Sequence, residues 1–318
     1  MKKIVSFLLL PLLLASILLS ACSSPPPQTS QPDETSQQTV EVTDPPLLLI
    51  AIEEAIVIDQ DGILVRVKRL DFSNPKGPAL IYEIENHSQE AISSFFYDVS
   101  VNGIMIQASF TSWEGPKESD PHENILPGQT AELDILFPSN NLERARIDLI
   151  QGIEFALYIM DAKTKINLID AQGIQIKTDA DPSYIQTFDE EGTLVHDSED
   201  LKIIARLAET FPQADQVPDP ALPLLWIYMV NKTEEERVVL IEEMKIDGTA
   251  VFNGFQSFLG AHKREFAYLY LDRQVQQEHN FESINEVSIR FQIQSQDYTQ
   301  GALYRTETVS FALDEDSP

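Results

Sequence analysis

The sequence holds a single cysteine, Cys22, so neither an intrachain disulfide nor a metal site built of several thiolates can form. Basic residues are scarce: 22 Lys and Arg stand against 51 Asp and Glu, for a formal net charge of -29. Phosphate backbones are held by Lys and Arg, so this balance argues against nucleic acid as a partner. The five histidines, at 87, 122, 196, 262 and 279, are scattered through expected turns, and no two share a metal-ligand spacing. No Gly-x-Ser-x-Gly, His-Glu-x-x-His, Cys-x-x-Cys or phosphate-binding glycine loop occurs. Ser73-Asn74-Pro75-Lys76 has the Ser-x-x-Lys spacing, but Pro75 and Gly77 make it a loop between strands. The expectation is a protein with no catalytic residue, no cofactor and no metal.

What is present begins at the N-terminus. Lys2 and Lys3 precede an apolar run, Ile4 to Leu19, broken only by Ser6, Pro11 and Ser16, and the small residues Ser20 and Ala21 lead to Cys22. That order is a secretory signal peptide, too short for a spanning helix of about 20 apolar residues. The ending Leu19-Ser20-Ala21-Cys22 resembles the lipobox of bacterial lipoproteins. The resemblance implies cleavage after residue 21 and a diacylglycerol on the Cys22 thiol, which anchors the chain to the outer face of the cell membrane. At about 0.8 kcal/mol per buried methylene, two or three acyl chains hold a domain durably where one does not. Residues 22–46 are rich in Ser, Pro, Thr and Gln, with almost no apolar residue before Val40, and read as a disordered tether.

From residue 47 onward, apolar and polar residues alternate with the period of half-buried strands. Residues 233–244 (TEEERVVLIEEM) tempt a helix assignment, but the β-branched run from Val238 and the Asp247-Gly248 turn after Ile246 point to a strand. The chain also reads as a duplication. Ile63, Val65 and Val67 alternate as Leu201, Ile203 and Ala205 do, and ALIYEIENHS (79–88) matches LLWIYMVNKT (224–233). Val101-Asn102-Gly103 matches Ile246-Asp247-Gly248, a two-residue hairpin turn in each half. Aligning PGQTAELDILF (127–137) with GAHKREFAYLY (260–270) sets Leu133, Ile135 and Phe137 against Phe266, Tyr268 and Tyr270. Length differences fall in the loops 111–124 and 209–223. The reading is all-β: two tandem sandwiches, 47–180 and 181–318, with barrel-like closure as the competitor.

This layout resembles the immunoglobulin-like domains of secreted lipoproteins from Gram-positive bacteria, on a strand ending in Asn-x-Ser/Thr, an Asn-Gly hairpin and a Pro-Gly before a long strand. Those are Asn86-His87-Ser88, Asn102-Gly103 and Pro127-Gly128, then Asn231-Lys232-Thr233 and Asp247-Gly248, with Gly260-Ala261 in place of Pro-Gly. The resemblance implies an architecture and no activity.

Three features invite functional readings. Asp59-Gln60-Asp61-Gly62 opens like a calcium loop, but its fifth ligand position would be Ile63, an apolar strand residue. If Leu80, Tyr82 and Ile84 face inward, the opposite face reads Ile81, Glu83, Glu85 in the first copy and Trp226, Tyr228, Val230 in the second. Such an aromatic face must be covered, by the other domain, by the 209–223 loop, or by a protein or glycan partner. Trp226, Tyr228 and, in the first copy's long loop, Trp113 are thus the candidate partner-binding residues. His262-Lys263-Arg264 is the one compact basic spot and reads as a turn. The functional expectation is a lipid-anchored extracytoplasmic binding or scaffolding protein. The alternatives are an importer's substrate-binding lipoprotein, which would need α/β lobes around a cleft, and a hydrolase whose paired carboxylates converge only in the fold.

Overall fold

Ile63, Val65 and Val67 are 2%, 0% and 0% exposed, while Leu64, Arg66 and Lys68 between them keep some surface, so the alternation becomes the strand β2 (Ile63–Asp71). We describe the protein from a computed structural model, over residues 50–110, 124–207, 223–251, 254–270, 285–295 and 301–312; the leader, Cys22, the tether and Trp113 lie outside the described residues. The chain is all-β, its strands arranged in sandwich-like sheets, and the one described helix, α1 (Ser139–Arg144), has six residues. Residues Leu48–Pro318 form one compact unit.

In the first half, β1 (Ala55–Gln60), β2, β3 (Ala79–Asn86) and β6 (Thr130–Leu136) form a sheet in the order β1-β2-β3-β6. Across a core that includes Leu80, Tyr82, Ile84, Phe155 and Ile159 lie β4 (Ile92–Val101), β5 (Ile104–Met105), β7 (Gly152–Asp161) and β8 (Asn167–Lys177), ordered β8-β7-β4-β5. The second half repeats this order. Strands β9 (Thr193–Asp197), β10 (Leu201–Leu207), β11 (Pro223–Asn231) and β15 (Arg264–Tyr270) run β9-β10-β11-β15. Facing them are β13 (Thr249–Ala250), β12 (Arg237–Ile246), β16 (Glu286–Ser295) and β17 (Ala302–Arg305), with β14 (Gln256–Leu259) on β12 and β18 (Val309–Ala312) on β16. The second core holds Leu225, Ile227, Met229, Ile289 and Phe291. Within the ambiguous run at 233–244, the residues from Arg237 onward belong to strand β12, whose β-branched residues Val238 and Val239 are fully buried.

Local chemistry repeats with the topology. Asn102 and Gly103 have φ of 52° and 77°, and Asp247 and Gly248 have 47° and 78°, the left-handed pair that a two-residue hairpin turn demands. Ser73-Asn74-Pro75-Lys76 is a loop, as expected, with the Lys76 N–H donating to Asn74 Oδ1 at 2.9 Å.

The halves share a sheet. Strand β5 pairs parallel with β15, Ile104 opposite Arg264 and Met105 opposite Glu265, so four strands of each half join into one sheet of eight. Each strand would otherwise offer an open edge there. Fusion also exchanges the faces: Ile104 belongs to the first core, whereas Met105, one residue on, packs against the second. The first half's inner face therefore continues as the second half's outer face, and the reverse.

Candidate functional site

That exchange explains the aromatic face. Trp226 is 4% exposed and Tyr228 0%, in a cluster with Ile204, joined by Phe188, Phe266 and Tyr268 at its border. Phe188, in the segment connecting the halves, lies 6.4 Å from the Tyr228 ring and also packs on the first core. Arg206 sits 4.5 Å over Trp226, and Arg264 4.2 Å over Phe188. Where the first copy has Glu83 and Glu85 toward water, with Arg66 between them at 3.0 and 3.3 Å, the second has a face that continues a core. The cover comes from the connecting segment and from the first half. Trp113 lies outside the described residues.

The connecting segment is tied down along its length. Asn102 Nδ2 donates to Leu149 O at 2.7 Å and to Gln186 Oε1 at 3.1 Å, and Gln186 Nε2 donates to Arg146 O at 2.8 Å. Asp189, 4% exposed, accepts from Arg146 at 2.7 Å and from Arg206 at 3.0 Å on the same oxygen, Oδ2. Lys263 pairs with Glu154 of β7 at 2.7 Å. The compact basic spot of the sequence thus divides: His262 takes the turn with φ of 55°, Lys263 joins the halves, and Arg264 covers Phe188.

The expected alignment of β15 is off by one residue. Leu225, Ile227 and Met229 pair with Leu269, Ala267 and Glu265, as Leu80, Tyr82 and Ile84 pair with Ile135, Leu133 and Ala131. Leu133 and Ile135 thus correspond to Ala267 and Leu269, not to Phe266 and Tyr268. The slip originates in the preceding turn, where Gly128 has φ of 76° and His262 takes the matching place at 55°. Gly260-Ala261 was therefore the wrong partner for Pro127-Gly128. Because strand faces alternate, the correction turns Phe266 and Tyr268 to the aromatic face and Glu265 inward.

Glu265 stands where the first half has Ala131, on the face of Met229 and beside Met105. Ser257 of β14 donates its hydroxyl to the Glu265 carboxyl, and among the described residues no cation pairs with that carboxyl. Burial pushes its pKa up from 4.5 to about 7, against the opposing effect of the Ser257 hydrogen bond. The residue is partly exposed and is among those that line a cleft of about 470 Å³. The cleft lies where the chain leaves β5: Met105 and Gln107 form one wall, Asn141 and Arg144 of α1 another, and Gln256 and Phe258 of β14 a third. Tyr268 also borders it, with the Arg144 guanidinium 5.0 Å over its ring. Aromatic rings, amide side chains, one carboxyl and one guanidinium together can orient a small ligand by shape, hydrogen bonds and charge.

Other candidates resolve locally. Asp61 (φ 53°) and Gly62 (φ 77°) form the β1–β2 turn, and Asp197 pairs with Lys232 at 2.6 Å. Among the described residues no group of three or more His, Cys, Asp or Glu is placed to hold a metal ion. His196 stacks on Tyr304 at 5.3 Å, and burial lowers its pKa. Asp98 and Glu236 both have raised pKa values, chiefly from burial, and the Asp98 charge adds to the effect on Glu236; neither lines the cleft. No protein-family model matches the chain, and no curated protein matches it.

Proposed function

We propose that this chain is a lipid-anchored extracytoplasmic binding protein without catalytic activity, whose two immunoglobulin-like halves act as one rigid receptor body. The cleft beside Glu265 is its ligand site. The observation that carries this reading is the joint itself: the β5–β15 pairing places Met105 and Gln107 of one half against Glu265 and Gln256 of the other, so the cleft is made by both. Ligand sites favour junctions of this kind, and 470 Å³ falls within the usual range of about 300–1,000 Å³. Leu19-Ser20-Ala21-Cys22 supports the anchor, and no helix among the described residues is long and apolar enough to cross a membrane. The α/β lobes of importer-type binding proteins have no counterpart among the described residues, whose one parallel strand pair is β5–β15.

Two measurements test the reading. Metabolic labelling with palmitate should mark the wild type and not Cys22→Ala, and the variant should appear in the soluble fraction; a Cys22→Ala chain still held by membranes rules the anchor out. A small-molecule thermal-shift screen on the full chain should return hits that Gln107→Trp, which fills the cleft, abolishes. Hits indifferent to Gln107→Trp place binding elsewhere and overturn the assignment of the cleft.

A further inference from the structure

Resting on that reading of the cleft, we infer that its ligand is a small cation, an amine or quaternary ammonium, with Glu265 as the counter-charge and Phe255 and Phe258 among the cleft walls.

The first argument is the substitution within the fold. At the same register position the first half uses Ala131, opposite Ile84 and packed against the first core. The second half places a carboxyl there, against Met229 and Met105. An acid walled by apolar side chains and lacking a cation is unfavourable for folding, because its charged form must leave water. Such a group, opening on a cleft, marks a functional site more readily than a structural one.

The charges nearby define what is missing. Lys263 is committed to Glu154, and Arg264, on the opposite face of β15, lies over Phe188. Arg144, on the α1 wall, stacks over Tyr268 and donates to Asn141 Oδ1 at 3.4 Å. Ser257 offers Glu265 a hydroxyl, which favours the ionised carboxylate, but no positive charge. An incoming ammonium supplies that charge. Of the aromatic residues lining the cleft, Phe266 and Tyr268 lie on the opposite face of β15 from Glu265, which leaves Phe255 and Phe258 as rings for a cation to meet; aromatic faces attract ammonium groups, including those that cannot donate a hydrogen bond.

Long-range electrostatics select the same sign. A chain of net charge -29 draws cations toward its surface and repels carboxylates and phosphates. Arg144 at the far wall then disfavours a second positive charge on the ligand, so a monocation fits better than a polyamine.

Binding makes a specific demand on protons. Near neutral pH the empty carboxyl holds a proton on much of the population, and pairing with an ammonium requires the carboxylate. The proton leaves to buffer as the ion pair forms, so binding and proton release are linked.

Isothermal titration of the full-length chain in detergent micelles at pH 6.5 tests this, with butylamine and choline as cationic probes and butyrate and maltose as anionic and neutral controls. Runs in phosphate and in MES, which differ in ionisation enthalpy, count the protons. The expected result is binding of at least one cation, release of a fraction of a proton per ligand, and at least a tenfold loss of affinity with no proton release in Glu265→Gln. That variant keeps a hydrogen-bonding group for Ser257, and its unfolding transition confirms that it is folded. Failure of both cations to bind at 10-fold the highest protein concentration and above, or equal affinity in Glu265→Gln, overturns the inference. Maltose or butyrate binding that Gln107→Trp removes and Glu265→Gln spares also overturns it, while leaving the cleft as the binding site.

Discussion

Asn86 and Asn231 occupy the same place in the two halves and make matching hydrogen bonds, with one more, to Gly260 O, from Asn231. Each ends a strand, β3 or β11, and is 0% or 1% exposed. The Asn86 amide donates to Glu90 O at 2.9 Å and Ile125 O at 2.8 Å, and its Oδ1 accepts from the Ser88 N–H and hydroxyl. Asn231 donates to Glu235 O at 2.8 Å, Leu259 O at 3.0 Å and Gly260 O at 2.9 Å, and accepts from Thr233 in the same manner. The Asn-x-Ser/Thr pattern is thus a buried clasp that satisfies loop carbonyls where the chain crosses between sheets.

Asn86→Ala and Asn231→Ala should each cost about 2–3 kcal/mol, because buried carbonyls lose their donors without gaining water. Asn→Asp should be at least as costly at neutral pH, since a carboxylate would face carbonyl oxygens. Urea unfolding checks both, and Ser88→Ala, which removes from a residue nearer the surface the hydroxyl that donates to Asn86 Oδ1 at 2.6 Å, should cost distinctly less. A loss under 0.5 kcal/mol for either Asn→Ala variant would show that water can replace the clasp.

Trp226 gives the clearest test of the aromatic face. Its ring is covered by Arg206 on one side and meets Phe266 at 5.2 Å. Trp226→Ala should destabilise the chain by about 3–5 kcal/mol, the usual range for emptying a large buried aromatic site. Trp226→Phe should recover most of that. Ligand affinity of whatever folded fraction remains should be unchanged, since Trp226 does not line the cleft; a selective loss of binding with stability intact would make it a contact residue instead.

What could be read from the sequence follows from the range of the interactions involved. Alternation is local, so the strands, the two Asn-Gly-type hairpins and the choice of strand over helix at Val238 and Val239 were all legible. The repeat was legible too, because its matched positions share burial. The register of β15 was not: glycine is the usual marker of a left-handed turn residue, and here His262 takes that conformation, which slides the apparent match by one residue. That slip concealed Glu265, one of the residues that line the cleft. Fusion of the sheets was out of reach for another reason. It rests on two residues, Ile104 and Met105, which carry no more signal than any short strand. Without the fusion, what covers Trp226 and Tyr228 stayed open between the other domain, the 209–223 loop and a partner.

Asp189 holds the connecting segment between Arg146 of one half and Arg206 of the other. The carboxylate is buried, but Arg146 is 56% and Arg206 34% exposed, so solvent screens part of the attraction. Asp189→Asn should therefore cost about 2 kcal/mol rather than the 3–5 kcal/mol of a fully buried pair. It should also open the segment 178–192 to limited proteolysis several-fold faster, because Phe188 loses its neighbouring tether. Proteolysis unchanged by Asp189→Asn would mean that Gln186 and Phe188 hold the segment by themselves.

Glu265 should make stability fall as the solution turns from acid to neutral. Its folded pKa of about 7 stands above the ordinary value of 4.5 that applies to the unfolded chain. Below about pH 4.5 both states keep the proton and Glu265 introduces no slope. Between there and about pH 7 the unfolded chain has lost its proton while the folded chain retains it, so the unfolded state gains in relative stability as pH rises. Above about pH 7 both are ionised and the loss is complete, at about 3 kcal/mol for a shift of this size. Glu265→Gln carries no charge at any pH, so its urea midpoint should match the wild type near pH 4.5 and exceed it at pH 8. Other carboxylates held low by partners, such as Glu132 beside Arg69 and Glu242 beside Arg305, give an opposite slope at lower pH that both chains share. The difference between the two chains is therefore the quantity to plot. If that difference stays flat from pH 4.5 to pH 8, the carboxyl is solvated in the folded protein and the cleft is wetter than its walls imply.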